Sequence, residues 1–91
     1  MIKNPALLRA LHEQIHACER RCGSSWNLEA AHIIPRRMGG GSRMDTEDNV
    51  LILCRECHRS WGHGRTEKRR EEMRSLLQHR PAWLRELLQS L

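Results

Sequence analysis

His32, Asn49, His58 and His63 fall within one stretch of the chain, with the run Gly39-Gly40-Gly41 between the first two. These are the residue types that cleavage of a phosphodiester needs. A water must be deprotonated near neutral pH, and positive charge must meet the pentacoordinate transition state and the leaving oxygen. An imidazole, with an ordinary pKa of about 6.5, suits the first task. A divalent cation held by few protein ligands suits the second, because it leaves room for the phosphate.

Four cysteines flank these residues in two close pairs, Cys18-x3-Cys22 and Cys54-x2-Cys57. Two such knuckles can converge four thiolates at about 2.3 Å from one tetrahedral zinc ion. Gly23 supplies a turn residue just after the first pair. Cysteines also bury well as small hydrophobes, but Arg20, Arg21, Arg55 and Glu56 lie between the paired cysteines and must reach the surface. With all four positions filled by protein, that ion is scaffold and not catalyst.

The elements that position these groups can be read from local signals. Asn4-Pro5 starts a helix, with an N-cap acceptor followed by proline at the first helical position. Leu7, Leu8, Leu11 and Ile15 recur at helical spacing on one face, and the helix is expected to reach about Glu19 or Arg20. Leu28 to Ile34, stopped by Pro35, reads as a strand, and Val50 to Leu53 as a second one. Residues 35–49 form a long connection, a length that in a compact domain accompanies function or disorder. A short helix is expected from Cys57 to about Trp61, ended by Gly62 and Gly64. Thr66 caps a helix from Glu67 to about His79. After Pro81, residues Trp83, Leu84, Leu87, Leu88 and Leu91 suit a final amphipathic helix.

Size and charge bound the rest. The chain has 91 residues, no Phe or Tyr and three Trp, so it forms one small domain for which a metal staple offsets a small core. The formal net charge is +5, which favours a polyanionic partner. A four-thiolate zinc site would lower it to about +3. No secretory h-region is visible, since Arg9 and His12 interrupt the first apolar stretch, and no run is long enough to span a bilayer. A cytoplasmic setting is expected, where paired cysteines bind metal more often than they form disulfides.

The order of these parts resembles the HNH endonuclease family over about Cys18 to His63. The resemblance implies a small α+β fold: a ββα-metal motif with a structural zinc site, flanked by an N-terminal helix and C-terminal helices. Residues 1–91 would form a single nuclease domain, with its core at about 18–63 and a helical extension at 66–91. It implies that His32, in Glu29-Ala30-Ala31-His32-Ile33-Ile34-Pro35, is the general base. Asn49 would orient that base or brace the loop, and His58 would bind the catalytic Mg2+, Mn2+ or other divalent cation. Products would carry 5′-phosphate and 3′-hydroxyl ends.

Two positions depart from the family pattern. Ala31 stands where many members carry an Asp or His metal ligand. His63 follows His58 after four residues where three is common, which leaves it as the best extra ligand. Glu29 is a fallback, although strand alternation turns it to the same face as Ala31, away from His32.

Arg36, Arg37 and Arg43 flank the glycines with no acid between Pro35 and Met44, and can fork onto DNA phosphates. The second basic run, Arg65 to Arg74, also holds Glu67, Glu71 and Glu72, as an ordinary solvated helix face does. His12, His16 and His79 are expected on the surface. Trp61 can cover the core or stack on a base. The leading expectation is a DNA endonuclease, nicking as a monomer. In family context it is phage or mobile-element associated, in the host cytoplasm, beside other proteins of a DNA-processing or packaging complex. The rivals are a non-catalytic zinc-stapled DNA-binding module and a protein-interaction domain built on the last helix.

Overall fold

The computed structural model describes residues 3–34 and 44–91. The first helix, α1 (Pro5–Gln14), starts as expected: the Asn4 side chain accepts the Leu7 N–H at 3.1 Å, with Pro5 in the first turn. It stops sooner than its apolar spacing suggested. Ile15 is extended (φ −109°, ψ 110°), because the chain beyond it must run alongside a strand. There the Glu19 N–H bonds the Ile52 carbonyl at 2.8 Å. Tertiary pairing overrides local propensity here.

Strands β1 (Leu28–His32) and β2 (Val50–Cys54) form an antiparallel pair, with Leu28 opposite Cys54 and His32 opposite Val50. Every residue of β2 is buried, as a continuous aliphatic run requires when both faces are covered. Val50 and Ile52 pack with Leu7, Leu11, Leu84 and Leu88 on one face. Leu51 and Leu53 pack with Ala31, Ile33 and Met73 on the other. The hairpin is therefore the middle layer of a small helix–sheet–helix sandwich.

Helix α2 (Arg55–Ser60) follows β2 without a loop and begins two residues before the expected Cys57. Thr66 caps α3 (Glu67–Leu77), accepting the Arg69 N–H at 3.1 Å. The last helix, α4 (Ala82–Gln89), buries Leu84 and Leu88, while Trp83, Leu87 and Leu91 stay exposed.

The outer edge of β2 is sealed by an ion pair between distant segments. The Glu19 carboxylate accepts the Ile52 N–H at 2.8 Å and the N–H groups of Arg80 Nε and Nη2, each at 2.8 Å. Arg80 also donates to the carbonyls of Val50 (2.7 Å) and Glu47 (2.9 Å). Removing one partner of so buried a pair typically costs about 3–5 kcal/mol, because the other charge is left uncompensated.

Two glycines let the chain after α2 lie against the hairpin. A Cβ at Gly64 would collide with the Ile33 carbonyl, and one at Gly62 would meet Leu53 Cδ1 at 2.8 Å and His58 Cα at 2.9 Å.

Candidate active site and metal centre

The four cysteines come together. Their sulfurs lie within 4.8 Å of one another, and no other group of three or more ligand-type side chains converges like this among the described residues. Cys22 Sγ and Cys54 Sγ are 3.7 Å apart, close to the edge of about 3.8 Å that a tetrahedron of 2.3 Å zinc–sulfur bonds requires. All four thiols are free.

The longer first knuckle absorbs its extra residue through left-handed backbone, at Arg21 (φ 64°) and Gly23 (φ 93°). Only glycine takes such a φ without cost. The Cys57 backbone N–H pulls the Cys54 thiol down to about 7. Burial pushes Cys57 up to about 12 and raises Cys18 as well. In the metal-free protein some thiols therefore keep their protons at neutral pH, and an arriving ion must displace them. Donor type, number and convergence fit a structural zinc.

Next to this closed site, β1 and α2 carry an open one. His58 Nδ1 lies 2.9 Å from Glu29 Oε1, and the His58 and His63 rings stand 5.7 Å apart. Glu29, Arg55, His58, Arg59 and His63 line a pocket of about 250 Å³. The Glu29 carboxyl is held below its ordinary range, first by the His58 hydrogen bond and then by Arg55 at 3.5 Å. Arg59 has no carboxylate partner among the described residues. The fallback Glu29 thus meets His58 from β1, on the face it shares with Ala31 and away from His32. Ala31, fully buried in the core, offers no ligand atom.

His32 is held elsewhere. It pairs with Val50, the residue that packs towards α1 and α4, so alternation turns it to the face opposite Glu29. Its Nε2 lies 2.7 Å from Asp45 Oδ1; the Asp45 side chain is wholly buried and that of His32 is 22% exposed. The other Asp45 oxygen accepts the Asn4 N–H at 2.9 Å.

Sequence reading overlooked Asp45. Asp45, Glu47 and Asp48 all precede Asn49 closely, and nothing local singles out Asp45 among them. Its partners lie 13 and 41 residues away, and no spacing rule finds such pairs.

Asn49 ties together the residues that flank segment 35–43. Its Oδ1 accepts the Ile34 N–H at 2.9 Å, its Nδ2 donates to the Met44 carbonyl at 2.9 Å, and its own carbonyl accepts the Ile33 N–H at 2.8 Å. Arg36, Arg37 and Arg43 lie outside the described residues.

Trp61 packs against the core, and its ring already carries two guanidinium groups, Arg20 at 4.8 Å and Arg69 at 5.0 Å. His12, His16 and His79 are exposed, as expected. No helix among the described residues is long and apolar enough to cross a membrane.

Comparison with known proteins agrees with this arrangement. No curated protein and no solved structure matches the chain. The family described as HNH endonuclease matches residues 17–66, more than half of the sequence and the whole span from the first knuckle to the end of the histidine-lined pocket. A helix-flanked hairpin, a four-cysteine cluster and that match together make this chain a member of the HNH endonuclease family.

Proposed function

We propose that the protein is a metal-dependent endonuclease that hydrolyses DNA phosphodiester bonds, with a single active site that nicks one strand per engagement. The observation that carries this reading is the open pocket in which His58 and His63 stand side by side with Arg55 and Arg59. Two imidazoles leave most of a cation's coordination sphere to water and phosphate. As donors they suit manganese or another transition ion better than magnesium. When bound, such a cation supplies positive charge at the scissile phosphate and the leaving oxygen.

In this mechanism His32 takes the proton of the attacking water. Glu29 accepts from His58 Nδ1, which leaves Nε2 of that ring as the ligand atom, the usual outer-shell arrangement of a metal-bound histidine. Arg59, whose charge is not committed to a carboxylate, binds a phosphate oxygen. Asn49 holds Ile33 and Ile34 to Met44, and Arg36, Arg37 and Arg43, which lie between them in sequence, are assigned to the DNA backbone. His32 at the end of β1 and His58 on α2 lie on opposite sides of the hairpin, so a phosphate that both serve would have to lie at the outer edge of β1. A two-stranded sheet permits this, because its faces join at that edge.

Free thiols fit a reducing cytoplasm. The setting to test is a phage or mobile-element one, in the host cytoplasm, alone or with DNA-processing or packaging proteins. One observation favours the rival of a non-catalytic zinc-stapled DNA-binding module: Ala31 is buried where many relatives place a ligand.

Nicking of supercoiled plasmid, with and without added magnesium or manganese, tests the proposal, with His32→Ala alongside. Cation-dependent nicks that vanish in the variant are expected. Intact plasmid at every cation tried, or undiminished nicking by His32→Ala, overturns it.

A further inference from the structure

We infer that Asp45 is a positioning residue for the base: it fixes His32 as the Nε2–H tautomer and makes Nδ1 the atom that receives the proton of water. This rests on the reading of His32 as the base.

The geometry leaves Asp45 little freedom. Its side chain is wholly buried, Oδ1 sits 2.7 Å from His32 Nε2, and Oδ2 accepts the Asn4 backbone N–H at 2.9 Å. Asn4 is itself fixed, because its side chain caps α1 by accepting the Leu7 N–H at 3.1 Å. A donor on each oxygen is what an ionised carboxylate, which only accepts, requires. Its partner nitrogen on His32 must then carry hydrogen. In a neutral imidazole the other nitrogen holds the lone pair, and that is Nδ1.

An O–H bond of water breaks and its proton goes to Nδ1. The electron pair stays on the water oxygen, which forms the new P–O bond as the bond from phosphorus to the 3′ oxygen breaks. The 3′ oxygen takes a proton from solvent, and His32 later returns its own to bulk water. While His32 is doubly protonated, the Asp45 carboxylate faces the positive ring and stabilises it, as a buried carboxylate does in a catalytic triad. The N-terminus of α1 thereby takes part in orienting the base, through a single backbone hydrogen bond.

The test uses the full-length, zinc-loaded protein labelled with 15N-histidine. Long-range nitrogen–proton correlation spectra are expected to show His32 with hydrogen on Nε2 and a bare Nδ1. In Asp45→Asn that tautomer preference is expected to be lost. The nicking kcat should fall about 10²- to 10⁴-fold, the range of general-base contributions, with KM unchanged. Hydrogen on Nδ1 in the wild-type protein overturns the inference, as does an Asp45→Asn variant with full kcat.

The wild-type spectrum decides the matter even if the variant fails to fold. It also separates this inference from the nuclease reading, since plasmid left intact by wild-type protein counts against the activity and leaves the tautomer measurable.

Discussion

Two histidine–carboxylate pairs lie on opposite sides of the hairpin, and they are built differently. His32 meets Asp45 through Nε2, with the carboxylate wholly buried and anchored to the start of α1. His58 meets Glu29 through Nδ1, with the Glu29 side chain 37% exposed and beside Arg55. The same two functional groups, imidazole and carboxylate, therefore leave opposite ring nitrogens available. A buried, doubly anchored acceptor suits a ring that must hold one orientation while it gains and loses a proton. A partly exposed acceptor suits a ring that presents a lone pair to a cation in an open pocket. Burial of the carboxylate, more than the presence of a histidine, distinguishes the two pairs, and with them the two proposed roles.

The largest effect should come from removing the metal staple beside the His58 pair. Cys57 precedes His58 in α2, and structural zinc can contribute on the order of 10 kcal/mol of folding free energy, more than a small domain's usual margin. Chelating the zinc, or Cys57→Ser, is expected to abolish the cooperative thermal transition followed by circular dichroism. A chelated protein that melts unchanged would remove the zinc from this account. Uptake should also depend on pH in a defined direction. Burial holds Cys57 at about 12 and raises Cys18, so binding expels protons and weakens as pH falls. Competition with a chromophoric chelator at mildly acidic and mildly alkaline pH checks the sign.

The next effect separates the two histidines. His32→Ala and His58→Ala should each slow nicking by about 10²- to 10⁴-fold. Only His58→Ala should recover as manganese is raised, because only that ring is assigned to the cation. Recovery of both variants, or of neither, would erase the contrast.

The two glycines offer a smaller and more local test. Gly64→Ala drives a methyl group into the Ile33 carbonyl, beside His32, and Gly62→Ala presses on the His58 backbone. Each is expected to cost about 1–3 kcal/mol in thermal or denaturant unfolding, as overpacking does. The former should disturb the His32 resonances first and the latter those of His58.

The smallest effect is expected from Glu29→Gln. It should weaken the manganese affinity by about 10-fold, the low end for an outer-shell partner, and leave the rate at saturating metal near wild type. A rate loss that no manganese concentration repairs would place Glu29 in the chemistry itself.

What the sequence made legible was local. The Asn4-Pro5 start, the Thr66 cap, the aliphatic run of β2 and the two cysteine pairs each declare themselves within a few residues. The structure places them as expected. What stayed hidden was long-range. Glu19 and Arg80 are 61 residues apart, Asp45 and Asn4 are 41 apart, and Glu29 and His58 are 29 apart. No periodicity or turn signal links such partners. For the same reason the end of α1 was misjudged: helical spacing continues through Ile15, but Glu19 is needed at the edge of β2.

That sealed strand edge bears on how the domain can be cut and grafted. The span shared with the family opens at residue 17, after Asn4, and closes at residue 66, ahead of Arg80. A fragment trimmed to it would surrender the guanidinium that satisfies the Val50 carbonyl and the amide that steadies Asp45. It would expose a bare, aliphatic ribbon ready to recruit a neighbouring chain. The outlying helices therefore behave as hem and hinge-pin, and a minimal fragment carved from the middle of this protein should precipitate.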